Sequence, residues 1–349
     1  MDKFLGFLQT RLEFLVNFQM AATLDDKWEA GMKLFEPCLP TSFKHYGDMN
    51  HFPPALQGNE CSIIIMNHQS DLDPCLLMYL MHTTFLERQV TPMITMSNPL
   101  DASFVKKKGS SYPSHTTLRP IAFTLEAFTK VHVLGPIVTE NMIALYKGIT
   151  DEELQRRINI RLAQGYNTFL LWPEGAIISK TKYKEAKTKW EKKDRDIEED
   201  ESSENIEHET QLDNPYPFKN VMTPKSRCWE QLIKCIGPRL RYICDLTFLY
   251  SNHIPWEVDW NYDIYPSVVN ACKSPLPRVF THTKIYDLFS LQKKEDMEAK
   301  VKGQDKSTSV LERMKNPEEL LVLWKQKEKR VEWLRKKERE HQYESRKKK

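Results

Sequence analysis

"SIIIMNHQSDLDP", residues 62–74, runs from an apolar stretch into His, Gln, Ser and two Asp, and ends at Pro74. Ile63, Ile64 and Ile65 predict a short buried strand over 62–67. The polar cluster then falls at the strand's end. Pro74 opens "PCLLMYLMHT" as a helix with proline in its first position and Asp73 as its N-cap. The same alternation recurs downstream. "TDEELQRRINIRLAQG" (150–165) predicts a helix with a Thr150/Glu153 capping box and a glycine stop. "YNTFLLW" (166–172), bounded by Gly165 and Pro173, predicts a strand, and "YICDLTFLY" (242–250) predicts another. Strands alternating with helices imply an α/β fold, a mixed β-sheet flanked by helices.

The chain has 349 residues, enough for a sizeable core, with 40% hydrophobic and 28% charged residues, the balance of a globular protein. A net charge of +3 is too small to imply nucleic acid as a partner. Seven cysteines occur without a C-x-x-C pair, which argues against a zinc ribbon or thioredoxin-like site and for reduced thiols facing the cytosol. His and carboxylates do not cluster at metal-ligand spacing, so no metal is expected. There is no secretory signal and no window of 18 apolar residues free of charge.

Five segments follow from these patterns. Residues 1–43 form an N-terminal helical segment. Within it, "FLGFLQTRLEFLVNFQM" (4–20) places Phe4, Phe7, Leu8, Leu12, Phe14, Leu15 and Phe18 opposite Gln9, Thr10, Glu13 and Asn17. Such an amphipathic helix either lies in a membrane interface or packs on the protein's own core. Residues 44–182 form the core that carries the motifs. Residues 183–214 are a highly charged insertion without glycine. Residues 215–291 complete the core, and 292–349 are a charged helical tail. In the tail, 316–340 predict a long helix with Leu320, Trp324, Val331 and Leu334 near one side, and its charge runs read as a solvated face.

His68 and Asp73 stand at H-x4-D spacing. A neutral imidazole is a suitable general base, and a carboxylate can fix its tautomer and support its positive charge. Asp71 is an alternative partner, since both positions can curl back to the ring. Taken alone, the pattern reads more readily as a turn and a helix cap, because such spacing is common by chance. A second strand end, "WPEGAIIS" (172–179), sharpens it: Pro173 stops the strand, Gly175 permits an unusual backbone angle, and Glu174 is held at the same kind of edge. The carboxyl ends of parallel strands build ligand crevices.

"IIIMNHQSDLD" and "TFLLWPEGAIIS" together resemble the N-H-x4-D and F-P-E-G-[TS]-R blocks of the glycerophospholipid (lysophospholipid) acyltransferases. "KHYGD" (44–48), "NVMTPKSRCWEQLI" (220–233), "YICDLTFLYSN" and "LLVLWKQKEKRVEWL" extend the resemblance over roughly 44–335. It is nearest to the lysophosphatidylglycerol and lysocardiolipin acyltransferases. The resemblance implies a glycerolipid acyltransferase-like fold and transfer of an acyl group from acyl-CoA, as co-substrate, to a lysophospholipid hydroxyl. It implies His68 and Asp73 as catalytic residues, no acyl-enzyme and no cofactor. Asn67, Pro173, Glu174, Gly175 and Lys180 are expected at the substrate. It further implies a membrane surface as partner, on the endoplasmic reticulum or another endomembrane, with the active site facing the cytosol. Oligomeric state, head group and acyl-chain preference are not readable.

Two departures stand out. Glu140 and Asn141 occupy the place where relatives carry a phosphate-holding arginine, and Ala176-Ile177-Ile178 replace Thr-Arg-x. An arginine fork suits phosphate, and its loss is not neutral. Lys180, Lys182, Lys184 and Arg119 are candidate replacements. The alternative reading is a non-catalytic lipid- or acyl-CoA-binding relative with a degenerate phosphate site.

Overall fold

The computed structural model of the chain describes residues 42–52, 54–70, 73, 90–95, 143–145, 149–175, 184, 187, 188, 218–251, 278–302 and 309–347. The expected amphipathic helix over 4–20, most of the charged insertion, Lys180, Lys182 and Arg119 lie outside these residues, as do Asp71, Glu140 and Asn141.

Among the described residues seven strands form one mixed sheet: β1 (Phe43–Gly47), β2 (Cys61–Met66), β3 (Val90–Thr95), β4 (Ile143–Leu145), β5 (Thr168–Leu171), β6 (Leu240–Tyr250) and β7 (Val279–Asp287). Their spatial order is β1-β7-β6-β2-β5-β3-β4. All pairs are parallel except β6 with β7. The strand that opened the sequence reading, β2, lies between β6 and β5 and is buried along its whole length. Its continuous apolar run is what a strand covered on both faces requires. Because β2 and β5 run parallel with Ile65 opposite Leu171, their carboxyl ends emerge side by side. Met66 pairs with Leu246, so the last turns of β2 and β5 also flank the distal half of β6.

Helices cover the sheet. In α1 (Asp151–Ala163), Thr150 accepts the Glu153 N–H at 3.2 Å as N-cap. The Glu153 carboxylate, expected to close the box, turns instead to Arg156 and Arg157 at 2.7 and 2.6 Å. Gly165, at φ 87°, takes the left-handed conformation that releases the chain into β5. Helix α2 (Arg227–Ile236) buries Trp229, Leu232, Ile233 and Ile236 in the core shared with Leu154 and Ile158 of α1. Burial of side chains of this size contributes roughly 1.5–3 kcal/mol each. Helices α3 (Leu288–Lys302) and α4 (Val310–Met314) lead into the 31-residue α5 (Pro317–Lys347).

Helix α5 packs on the sheet. Leu320, Leu323, Trp324, Val331 and Leu334 enter the same core cluster as β2 and β5. Its charges are not all solvated, as the sequence reading expected: Lys327 is fully buried and Glu328 nearly so. Lys327 Nζ donates to Asp245 of β6, to Leu246 O at 2.9 Å and to Ile65 O at 3.3 Å. Arg330 takes the other Asp245 oxygen. The buried carboxylate is paired with two cations, and two strand carbonyls accept from Lys327, which satisfies the rule that buried charges are paired and hydrogen-bonded.

Candidate functional site

The site is built where β2, β5 and β6 end. Asn67 follows β2, and its side-chain amide makes two bonds to one residue of β6. Its Nδ2 donates to Phe248 O at 2.9 Å and its Oδ1 accepts the Phe248 N–H at 2.8 Å. The amide thus continues the sheet after the backbone has turned away. Asn67 is fully buried, so its amide holds strand ends together.

His68 comes next and is the partly open member, with 19% of its side chain exposed. Its Nδ1 lies 2.8 Å from Asp73 Oδ2, which makes Asp73 the partner of the ring. Asp73 is completely buried. Its Oδ2 also accepts the Gln69 and Ser70 N–H groups at 2.7 and 3.1 Å, and its Oδ1 accepts the Tyr250 hydroxyl. A carboxylate only accepts hydrogen bonds, so the Nδ1 facing it carries the proton and Nε2 keeps the lone pair. Among the described residues Nε2 has no partner and is the atom available to a substrate.

Asp73 is not the N-cap that the sequence suggested. Asp73 is already helical, and its N–H donates to Ser70 O at 3.2 Å. Its carboxylate reaches back to the Ser70 N–H at 3.1 Å. One carboxylate therefore holds the turn and orients the imidazole. The helix expected beyond Pro74 lies outside the described residues.

The second turn meets the first through Glu174. Its Oε2 accepts the His68 N–H at 2.9 Å, and its Oε1 accepts the Met222 N–H at 3.3 Å. Burial pushes the Glu174 carboxyl well above its ordinary value, partly offset by these two bonds and by Lys327. Glu174 is 1% exposed, so it shapes the site by holding backbone. Pro173 is buried too, and its carbonyl accepts the Lys225 N–H at 2.8 Å. Gly175 sits at φ 62°, with its N–H on Trp172 O at 3.1 Å.

Two further residues of the site lie in the blocks that extend the resemblance but were not singled out in the sequence. Tyr250, the last residue of the DLTFLY stretch within the block YICDLTFLYSN, ends β6 and donates its hydroxyl to Asp73. The Lys225 side chain lies across Gly175, its Nζ 3.0 Å from where a β-carbon would stand there. The segment bearing Lys225 is anchored by α5: Glu328 accepts N–H groups of Lys219 and Asn220, and Trp324 Nε1 donates to Met222 O at 2.8 Å. Lys184, one of the lysines considered for the acceptor phosphate, is exposed, and Lys180 lies outside the described residues.

No protein-family model matches this chain, and no curated protein matches it. Among the described residues no group of three or more His, Cys, Asp or Glu is placed to hold a metal ion. No helix among them is long and apolar enough to cross a membrane.

Proposed function

We propose that the protein is an acyl-CoA-dependent lysophospholipid acyltransferase with a glycerolipid acyltransferase-like fold, acting at the cytosolic surface of an endomembrane. The observation that carries this reading is the His68–Asp73 pair. A partly open imidazole is fixed at 2.8 Å by a buried carboxylate that three further donors hold in place. The resemblance of the two strand-end motifs supplies the reaction class.

In this reading Nε2 of His68 takes the proton of the lysolipid hydroxyl as its oxygen attacks the thioester carbonyl of acyl-CoA. The C–O bond forms and the carbonyl becomes an oxyanion. Collapse breaks the C–S bond, and the imidazolium returns its proton to the departing CoA thiolate. Asp73 supports the imidazolium in between. No enzyme nucleophile takes part. Ser70 stands two residues from His68, but its N–H bonds Asp73 and it is wholly buried.

The test is transfer of labelled acyl groups from acyl-CoA to a panel of lysophospholipids by purified protein. Transfer by the wild type and its loss in a folded His68→Ala variant are expected. A protein that binds these lipids without turnover on any acceptor is the non-catalytic alternative.

A further inference from the structure

Among the described residues three tryptophans are buried around the sheet, and they differ in one respect. Trp229 Nε1 donates to Met314 O and Trp324 Nε1 to Met222 O, both at 2.8 Å. Trp172 is only 4% exposed, yet its Nε1 has no hydrogen-bond partner among the described residues. A buried donor without an acceptor is a free-energy cost that folded proteins rarely carry without a use.

The position of this donor gives it a use. Trp172 is the residue between β5 and Pro173, and its ring centroid lies 5.8 Å from that of His68, tilted by 44°. A hydroxyl bonded to Nε2 sits about 3 Å from the imidazole, and the carbonyl carbon it attacks lies about 3 Å beyond. The indole ring stands at a comparable distance from the imidazole. Four backbone donors of the two turns are already committed. The His68 N–H goes to Glu174, those of Gln69 and Ser70 go to Asp73, and that of Gly175 goes to Trp172 O. The Gln69 amide is also buried without partners, but no contact fixes it relative to the imidazole.

We infer that Trp172 is a further catalytic residue, its indole N–H donating a hydrogen bond to the substrate oxygen that acquires negative charge during acyl transfer. No proton moves along this bond. The donor stays unsatisfied in the free protein and gains its acceptor as the oxyanion forms, which is the condition for lowering the barrier instead of merely binding substrate. This inference rests on the acyltransferase reading.

The experiment replaces Trp172 with phenylalanine and, in a second variant, with benzothienylalanine, which keeps the bicyclic shape and substitutes sulfur for N–H. The expected result is a fall in kcat of about 10²-fold or more, the loss typical for one oxyanion donor, with KM for acyl-CoA and lysolipid unchanged. The isostere is expected to match or exceed the wild type in thermal stability, because it deletes an unsatisfied donor. A purely structural tryptophan gives the opposite pattern, with stability lost in Phe and kcat kept in the isostere. Undiminished kcat in the isostere, beside normal wild-type turnover, overturns this inference alone. Absence of transfer by the wild type overturns the acyltransferase reading and this inference with it.

Discussion

Glu174 Oε2 accepts the backbone N–H of His68 at 2.9 Å, across a sequence separation of 106 residues. The two strand-end turns are thus one unit, and the carboxyl between them is sealed from water. Burial raises its pKa well above the ordinary 4.5, with the His68 and Met222 N–H groups pulling partly the other way. A carboxyl raised in the folded state contributes its full stability below about pH 4.5 and loses it as pH rises through the folded value. Glu174→Gln removes that titration and leaves one of two N–H groups without its acceptor. The variant is expected to be less stable at low pH by about 1–3 kcal/mol, with the deficit shrinking as pH rises. Urea unfolding of both proteins across a pH series reads this. A deficit that grows with pH contradicts the assignment.

Asp73 makes the site sensitive to a residue far along the chain. Tyr250→Phe deletes a donor to its buried Oδ1, and hydrogen bonds to charged groups contribute about 1.5–3 kcal/mol. Asp73→Asn presents an amide where His68 needs an acceptor, and a comparable change in a hydrolytic triad lowers kcat about 10⁴-fold through the wrong tautomer. The two substitutions meet at one carboxyl, so their stability effects are expected to be strongly non-additive. A double-mutant cycle by denaturant unfolding measures the coupling, and additive losses would show that Tyr250 acts elsewhere.

Local pattern carried much of this in the sequence. Ile63–Ile65 and Phe169–Leu171 are apolar runs bounded by breakers, and both are fully buried strands. His68 and Asp73 are five positions apart, close enough for a turn to join them. What sequence could not show is long-range pairing. The antiparallel return of β7 against β6, and β1 beside β7, depend on register between segments far apart. Lys327 sits in "KQKEKR" and looks like its solvated neighbours. Only the position of Asp245, 82 residues away on β6, makes that lysine an interior one. Glu174 was legible as a site residue, but its hold on the His68 backbone was not.

Gly175 is predicted to resist even alanine. At φ 62° an L side chain pays the left-handed penalty of about 1–2 kcal/mol, and its β-carbon would also stand 3.0 Å from Lys225 Nζ and 3.4 Å from its Cδ. Gly175→Ala is therefore expected to be destabilised by that amount and to displace the lysine. Adding Lys225→Ala relieves only the crowding. Thermal unfolding of the single and double variants separates the two effects, and full recovery in the double variant would show that the backbone angle contributes little.

Helix α5 is predicted to be indispensable to the fold, despite its tail-like composition. Lys327→Met leaves Asp245 buried with Arg330 as its remaining cation, and the Ile65 and Leu246 carbonyls lose a donor. Removing one partner of a buried ion pair typically costs about 3–5 kcal/mol, whereas replacing both with apolar residues is often near neutral. The expectation is a large loss in Lys327→Met and partial recovery when Asp245→Leu is added. Recovery stays partial because Arg330 then lacks its carboxylate. Truncation before Pro317 also strips Leu320, Trp324, Val331 and Leu334 from the core and releases the 219–222 segment whose Met222 N–H binds Glu174. Denaturant unfolding of the variants, with circular dichroism of the truncated chain, tests this. A truncated protein that keeps cooperative unfolding at wild-type stability would return α5 to the role of a solvated tail.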